Sequence, residues 1–371
     1  MRNLLNKIFL LVCIFSLKLP GYALAVSQES YPFLTIPLHA RALAMGNANT
    51  GLSNDLSAIY YNPAGLAELN LAGVSLSYKK LLQEQQIEFL DLAVACKLKG
   101  KGTFAVSFRK SLYTANNWTE ITSPEILGEN QVDQWYIGLS IAQNVTRKIQ
   151  LGGNIKIIQN NVLIGEFDET SHTFNLDFGI AIRALWPALT INRKTLNLNP
   201  FNNMLLRTAP EGISFGAVLK NIGPTVRFVE SGRNEAQPML LRLGCVYNIF
   251  DSNDFRVLLT SDIEKYLVSF NSEGQAEQFY KALINAWRDR AFIKELEEIT
   301  YHFGTEVKID YLASLRAGFL YDETGRFKTW TFGAGFGPET AQLNVTIIPV
   351  SFNKNYAPKN REFYFSFSAA F

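Results

Sequence analysis

The stretch Thr173-Phe174-Asn175-Leu176-Asp177-Phe178-Gly179-Ile180-Ala181-Ile182-Arg183 decides the fold. Phe174, Leu176, Phe178, Ile180 and Ile182 share one parity, and Thr173, Asn175, Asp177, Gly179, Ala181 and Arg183 share the other. A strand points successive side chains to opposite faces, so this segment has one apolar face and one polar face. Upstream, Phe104, Val106 and Phe108 alternate with Thr103, Ala105, Ser107 and Arg109, and Trp135, Ile137, Leu139 and Ile141 with Gln134, Tyr136, Gly138 and Ser140. Downstream, Trp330, Phe332, Ala334 and Phe336 alternate with Thr329, Thr331, Gly333 and Gly335.

Extending the pattern along the chain predicts strands over 71–82, 86–98, 102–113, 132–144, 148–162, 170–184, 212–222, 238–249, 255–267, 300–309, 312–322, 327–337, 340–350 and 362–371. Their connections alternate between short turns, such as 99–101, Thr146-Arg147 and Pro338-Glu339, and long loops over 114–131, 223–237, 268–299 and 351–361. An even strand number with short turns on one side, long loops on the other and apolar-out strands describes an outer-membrane barrel. Two connections break the rule: 185–211 is a long insertion on the short-turn side, and 83–85 is short on the long-loop side. A soluble β-sandwich also alternates, but its outer face would carry dense Lys and Glu. Here the second face is Ser, Thr, Asn, Gln and Gly with sparse charge, which suits a lumen. The expected fold is therefore all-β, a 14-stranded antiparallel transmembrane β-barrel over 71–371.

Composition fits this fold: 47% of residues are hydrophobic, which excludes a disordered chain. After the first two dozen residues no apolar run approaches the roughly 18 residues of a spanning helix. Residues 1–25 have the layout of a secretory signal, with Arg2 and Lys7, an apolar run from Ile8 to Leu17, and Ala23-Leu24-Ala25 as the cleavage region. Val12 before Cys13 is too large for a lipoprotein site. Removing the signal takes three basic and no acidic residues, leaving 32 basic against 33 acidic, a charge of about −1. That balance offers no surface for nucleic acid. Cys96 and Cys245 both fall on apolar parity, as small hydrophobes rather than a disulfide or metal pair. The last strand places Phe363, Phe365, Phe367, Ala369 and Phe371 on one face, and the terminal Phe371 resembles the signal read by barrel-assembly machinery.

Residues 33–67 do not alternate and are rich in small residues. Asn62-Pro63-Ala64-Gly65 resembles the N-terminal hatch of the FadL (OMPP1/FadL/TodX) superfamily of outer-membrane transporters, which implies that residues 26–70 lie inside the barrel as a plug. The longer match, Ala40-Arg41-Ala42-Leu43-Ala44-Met45-Gly46, then Asp55, then Asn62-Pro63-Ala64-Gly65-Leu66-Ala67, resembles the PorV/PorQ branch. A second match to that branch runs through Asp289, Phe292, Glu295 to Ile299, Gly304-Thr305-Glu306, Leu315 to Phe319 and Thr331 to Phe336. The insertion at 185–211 departs from the family layout.

Chemistry is sparse. His39, His172 and His302 belong to no metalloprotease motif, and no glycine-rich stretch carries the Lys-Ser/Thr of a phosphate loop. Neither catalysis, a metal nor a cofactor is expected. The charges of lumen parity, among them Arg109, Lys156, Asp177, Arg183, Lys220, Arg242, Asp262, Glu264, Glu306, Lys308 and Arg316, serve either as ion pairs between wall and plug or as receivers of a ligand carboxylate. Arg41 and Asp55 suit either use. Residues 275–299 carry a helical apolar stripe, expected to cap the barrel mouth or dock a partner. Two functions follow from the resemblance: docking and shuttling of exported cargo among secretion-system proteins, or uptake of long-chain fatty acids and hydrocarbons. Both place the mature chain in outer-membrane lipid.

Overall fold

The computed structural model describes residues 31–52, 55–69, 72–81, 86–119, 126–164, 167–186, 189–190, 212–227, 234–251, 255–288, 292–309, 312–325, 327–338, 341–349 and 361–370. The signal segment, the core of the 185–211 insertion and Phe371 lie outside the described residues.

Fourteen strands close into one antiparallel barrel. In chain order they are β1 (Ala72–Leu81), β2 (Gln86–Leu98), β3 (Gly102–Thr119), β4 (Ile126–Asn144), β5 (Ile149–Ile164), β6 (Phe167–Trp186), β7 (Ile213–Ile222), β8 (Leu240–Asp251), β9 (Phe255–Tyr266), β10 (Thr300–Ile309), β11 (Ala313–Asp322), β12 (Phe327–Phe336), β13 (Ala341–Pro349) and β14 (Arg361–Ala370). Each pairs with its sequence neighbours, and β14 returns to β1 with Ala370 opposite Gly73. Closure removes the unpaired edges that a membrane interior would penalise. The two-residue piece Leu189–Thr190 pairs in parallel with the end of β8.

The predicted parities hold. Leu76, Leu139, Phe178, Leu315, Trp330 and Phe365 all point outward and are exposed, forming the apolar belt. Aromatic pairs stand toward the long-loop end of that belt, Phe319 with Trp330 and Tyr301 with Tyr321, as barrel girdles do. Cys96 and Cys245 are free thiols on the outward face.

Two expectations change. The loop foreseen over 114–131 is largely strand: β3 has 18 residues and β4 has 19, and their pairing continues, with register shifts, to Thr119 opposite Ile126. About ten residues suffice to cross the bilayer, so β3 to β6 rise beyond it. Beyond the bilayer a strand no longer needs an apolar outward face. The second change concerns 275–299, which forms α3 (Phe279–Asn285) and α4 (Phe292–Glu297). Ala282 of α3 and Ala286, which caps it, pack on Met239 and Leu267 with Leu219 and Leu241 at the edge. Leu219, Leu241 and Leu267 have outward parity, so α3 lies against the outer wall of β7 to β9 instead of capping the mouth.

The described part of the N-terminal segment contains α1 (Ala40–Ala44), α2 (Ala58–Tyr61) and a 3-10 turn over Pro63–Glu68. Its apolar residues Leu38, Ala40, Met45, Leu52, Leu56, Tyr61 and Leu66 are buried against inward-facing groups of the wall. Glycines make the fit. A Cβ on Gly152 would strike Ala64, on Gly179 Asn62, on Gly216 Thr50, on Gly304 Met45, on Gly318 the amide of Gly46, and on Gly333 Ala44. Gly46 itself has φ +65, and a side chain there would meet the carbonyls of Phe303 and Phe319, so the left-handed conformation and the close approach both require glycine.

Gly318→Ala is expected to cost about 1–3 kcal/mol by overpacking, read as a lower temperature for loss of the folded gel band. Gly153→Ala, whose Cβ would find only ordinary contacts from 3.6 Å, should leave that temperature unchanged.

Candidate functional site

The site is the contact between segment and wall, and it is held by ions. Cross-strand neighbours Glu306 on β10 and Arg316 on β11 face inward in register. Arg41 at the start of α1 reaches them with a two-pronged bond, Nε to Glu306 Oε2 at 2.9 Å and Nη2 to Oε1 at 2.8 Å, while Nη1 donates to Asp55 Oδ2 at 2.8 Å. Arg316 Nε donates to the same Glu306 at 2.5 Å, and its Nη1 to Asn344 at 2.8 Å. Asp55 is fixed by the Ser57 amide at 2.9 Å. Two arginines thus share Glu306, and Asp55 supplies the second negative charge.

Three more nodes repeat the arrangement around the ring. Arg109 of β3 donates to its register partner Asp91 of β2 at 2.8 Å and to the Ile36 carbonyl at 3.1 Å, with its guanidinium 4.3 Å over the Tyr60 ring. Lys156 of β5 donates to Asp177 of β6 at 2.9 Å and to Asn221 at 2.7 Å. Arg242 of β8 holds Asp262 and Glu264 of β9, each at 3.0 Å, and donates to the Asn47 carbonyl. Asp262 in turn accepts the amides of Asn49 and Thr50 at 2.9 Å. Lys220 stands over Tyr60 with its ammonium 3.7 Å from the ring centroid, a cation–π contact strengthened by burial.

The Asn-Pro-Ala-Gly stretch has a mechanical role in this geometry. Asn62 Nδ2 donates to the Thr50 carbonyl at 3.1 Å and to the Ile180 carbonyl of β6 at 3.0 Å, and its Oδ1 accepts the Ala64 amide. Pro63 opens the turn where a missing N–H costs nothing, and Gly65 donates back to the Asn62 carbonyl at 2.9 Å. Gly46 is clamped by Thr331, which accepts its amide at 3.0 Å, and by His302, whose Nδ1 meets its carbonyl at 2.8 Å.

The candidate residues Arg41, Asp55, Arg109, Lys156, Asp177, Arg242, Glu306 and Arg316 therefore all lie in ion pairs. Sequence reasoning passed over Asp91, whose parity opposite Arg109 was the available signal, and Tyr60 and Tyr61, which resemble ordinary core aromatics until the cations above them are known. Among the described residues no group of three or more His, Cys, Asp or Glu is placed to hold a metal.

Electrostatics within the segment follow burial and partners. Burial alone would raise the Asp55 carboxyl, but Arg41 and the Ser57 bond hold it below its ordinary value. Burial pushes His39 down, against the pull of Asp91, and pushes the Tyr60 hydroxyl up to about 12.

A closed fourteen-strand barrel with an apolar outer belt and its N-terminal segment bonded to the inner wall defines an outer-membrane β-barrel protein. The chain belongs to the PorV family: the model described as "Type IX secretion system protein PorV" matches residues 24–273. Solved structures agree in fold. The CymD monoaromatic hydrocarbon channel has 10% identity, TM-score 0.55, and coverage of 90% of this chain and 97% of the other. The toluene transporter TbuX of Ralstonia pickettii has 12% identity, TM-score 0.50, and coverage of 90% and 98%. The TodX channel with its S2 segment deleted has 12% identity, TM-score 0.51, and coverage of 89% and 96%. A comparison with curated protein sequences gives no match.

Glu306→Gln leaves two buried arginines sharing one fewer charge and should destabilise the folded barrel by about 3–5 kcal/mol, measured as a fall in the temperature of heat-modified gel mobility. Both His39 and Asp55 have folded values below their unfolded ones, so each contributes stability that is lost on acidification, His39 starting below its unfolded 6.5 and Asp55 below 3.8. Amide exchange in residues 31–69 should therefore rise, relative to the intrinsic rate, as pH falls from about 8 to about 5.

Proposed function

We propose that the protein is a closed, non-enzymatic barrel that docks exported cargo and passes it to other outer-membrane components of a secretion system, with residues 26–70 as a hatch that stays shut. The observation that carries this reading is the prior commitment of the lumen cations. Arg41, Arg109, Lys156, Arg242 and Arg316 each already hold a carboxylate of the chain. An entering ligand carboxylate that took any of these five would have to break a buried pair, at about 3–5 kcal/mol each. Uptake of fatty acids through the lumen is disfavoured on that account, and the surfaces around the rim remain for work on other proteins. Membership of the PorV family supports the same direction.

The test is deletion of the gene in its own bacterium. Proteins sharing a C-terminal sorting domain should accumulate in the periplasm, while uptake of long-chain fatty acids and hydrocarbons stays normal. Normal export combined with lost uptake would overturn the reading.

A further inference from the structure

Lys265 of β9 is out of place for a lipid-facing residue. It has the parity of Phe255, Leu259 and Ile263, which are exposed members of the apolar belt, yet it is only 3% exposed. Its Nζ donates to Glu298 at 2.6 Å, lies 2.8 Å from Glu295, and stands 5.5 Å from the Trp287 ring. The α3–α4 arm therefore lies on the outside of the barrel, beginning two residues, about 7 Å, beyond Ile263. Its ends are pinned: Gln278 donates to Thr225 at 3.0 Å, and Thr324 donates to the Glu297 carbonyl at 2.8 Å.

The arm has a second apolar face outside the cluster of Met239, Leu267, Ala282 and Ala286, its contacts being the Phe279 ring on Tyr280 and the Lys265 ammonium beside Trp287. Tyr280, Ile284 and Trp287, at helical spacing i, i+4, i+7, are 56%, 58% and 44% exposed, and Ile293 on α4 is 72% exposed. Lys281, Arg288 and Lys294 are exposed beside them. An apolar stripe with an aromatic residue and a basic flank is the composition of a helix lying in a membrane surface, and Trp and Tyr favour the boundary between acyl chains and headgroups. The stripe also continues the belt: Ile263 pairs with Leu243, another exposed outward residue, at the level where the arm begins.

We propose that the α3–α4 arm is an interfacial lipid anchor, inserting Tyr280, Ile284, Trp287 and Ile293 into the boundary region of the outer leaflet while Lys281, Arg288 and Lys294 bind the phosphate groups of its lipids. The arm fixes the height of the β7–β9 side of the barrel, independently of what the barrel docks.

The experiment places a nitroxide at Ile284→Cys in Cys96→Ala/Cys245→Ala protein that begins after residue 25 and so lacks Cys13, folded into vesicles of phosphatidylcholine mixed with phosphatidylglycerol. Oxygen should relax the label more than a polar nickel chelate does, and the reverse should hold for a label at exposed Glu273→Cys. The oxygen preference should shrink in phosphatidylcholine alone and in Lys281→Gln/Arg288→Gln/Lys294→Gln protein. A label at 284 as open to the chelate as one at 273, or one shielded only when a protein partner is added, overturns the proposal. Unlabelled protein supplies the second measurement: Trp287→Phe should reduce the fraction of tryptophan emission quenched by shallowly brominated lipid, and unchanged quenching overturns the proposal as well.

Discussion

A barrel wall that presents glycine to its lumen on strand after strand is stable only if something else occupies the places of the missing side chains. In this chain the N-terminal segment occupies them, its backbone meeting Gly152, Gly216, Gly304 and Gly318 and its Asn62 and Ala44 side chains meeting Gly179 and Gly333, closely enough to exclude a Cβ. That constraint organises the rest. Backbone brought against backbone would strand buried polar groups, so the wall supplies partners: Thr331 and His302 for Gly46, Asp262 for the amides of Asn49 and Thr50, and Arg109 for the carbonyl of Ile36.

The charges follow from the same need. An arginine aimed at the segment must itself be neutralised, and the wall does so with a carboxylate on a paired strand, Asp91 for Arg109 and Glu264 for Arg242. Arg41 reverses the polarity, coming from the segment to a wall carboxylate that Arg316 already holds. Contacts of this kind resist removal of one partner far more than they add stability as a whole. Each ties a given residue of the segment to a given place on the wall, Arg41 to β10, Ile36 to β3 and Asn49 to β9.

How much of this was legible in the sequence depends on which physical constraint acts at each residue. Lipid demands an apolar group at every outward position of a spanning strand, so Phe174 to Ile182 could be read residue by residue. Above the membrane that demand ends, and the extension of β3 to Thr119 left no periodic trace. Lumen charges could be found by parity, but their partners could not, because Arg41 and Glu306 are 265 positions apart. The helical stripe near 279–287 was visible, but not the side of the wall it covers. Lys265 was the clue, a cation of lipid-facing parity between Ile263 and Leu267 that calls for cover.

The segment also touches the seam where the barrel closes. β14 pairs with β1 from Ala370 opposite Gly73 to Phe365 opposite Tyr78, and the segment lies against both strands of that seam, Leu56 at Gly73 and Ala40 and Leu43 with Tyr364. A wall closed without the segment would surround a hollow lined by glycine and unmatched charge.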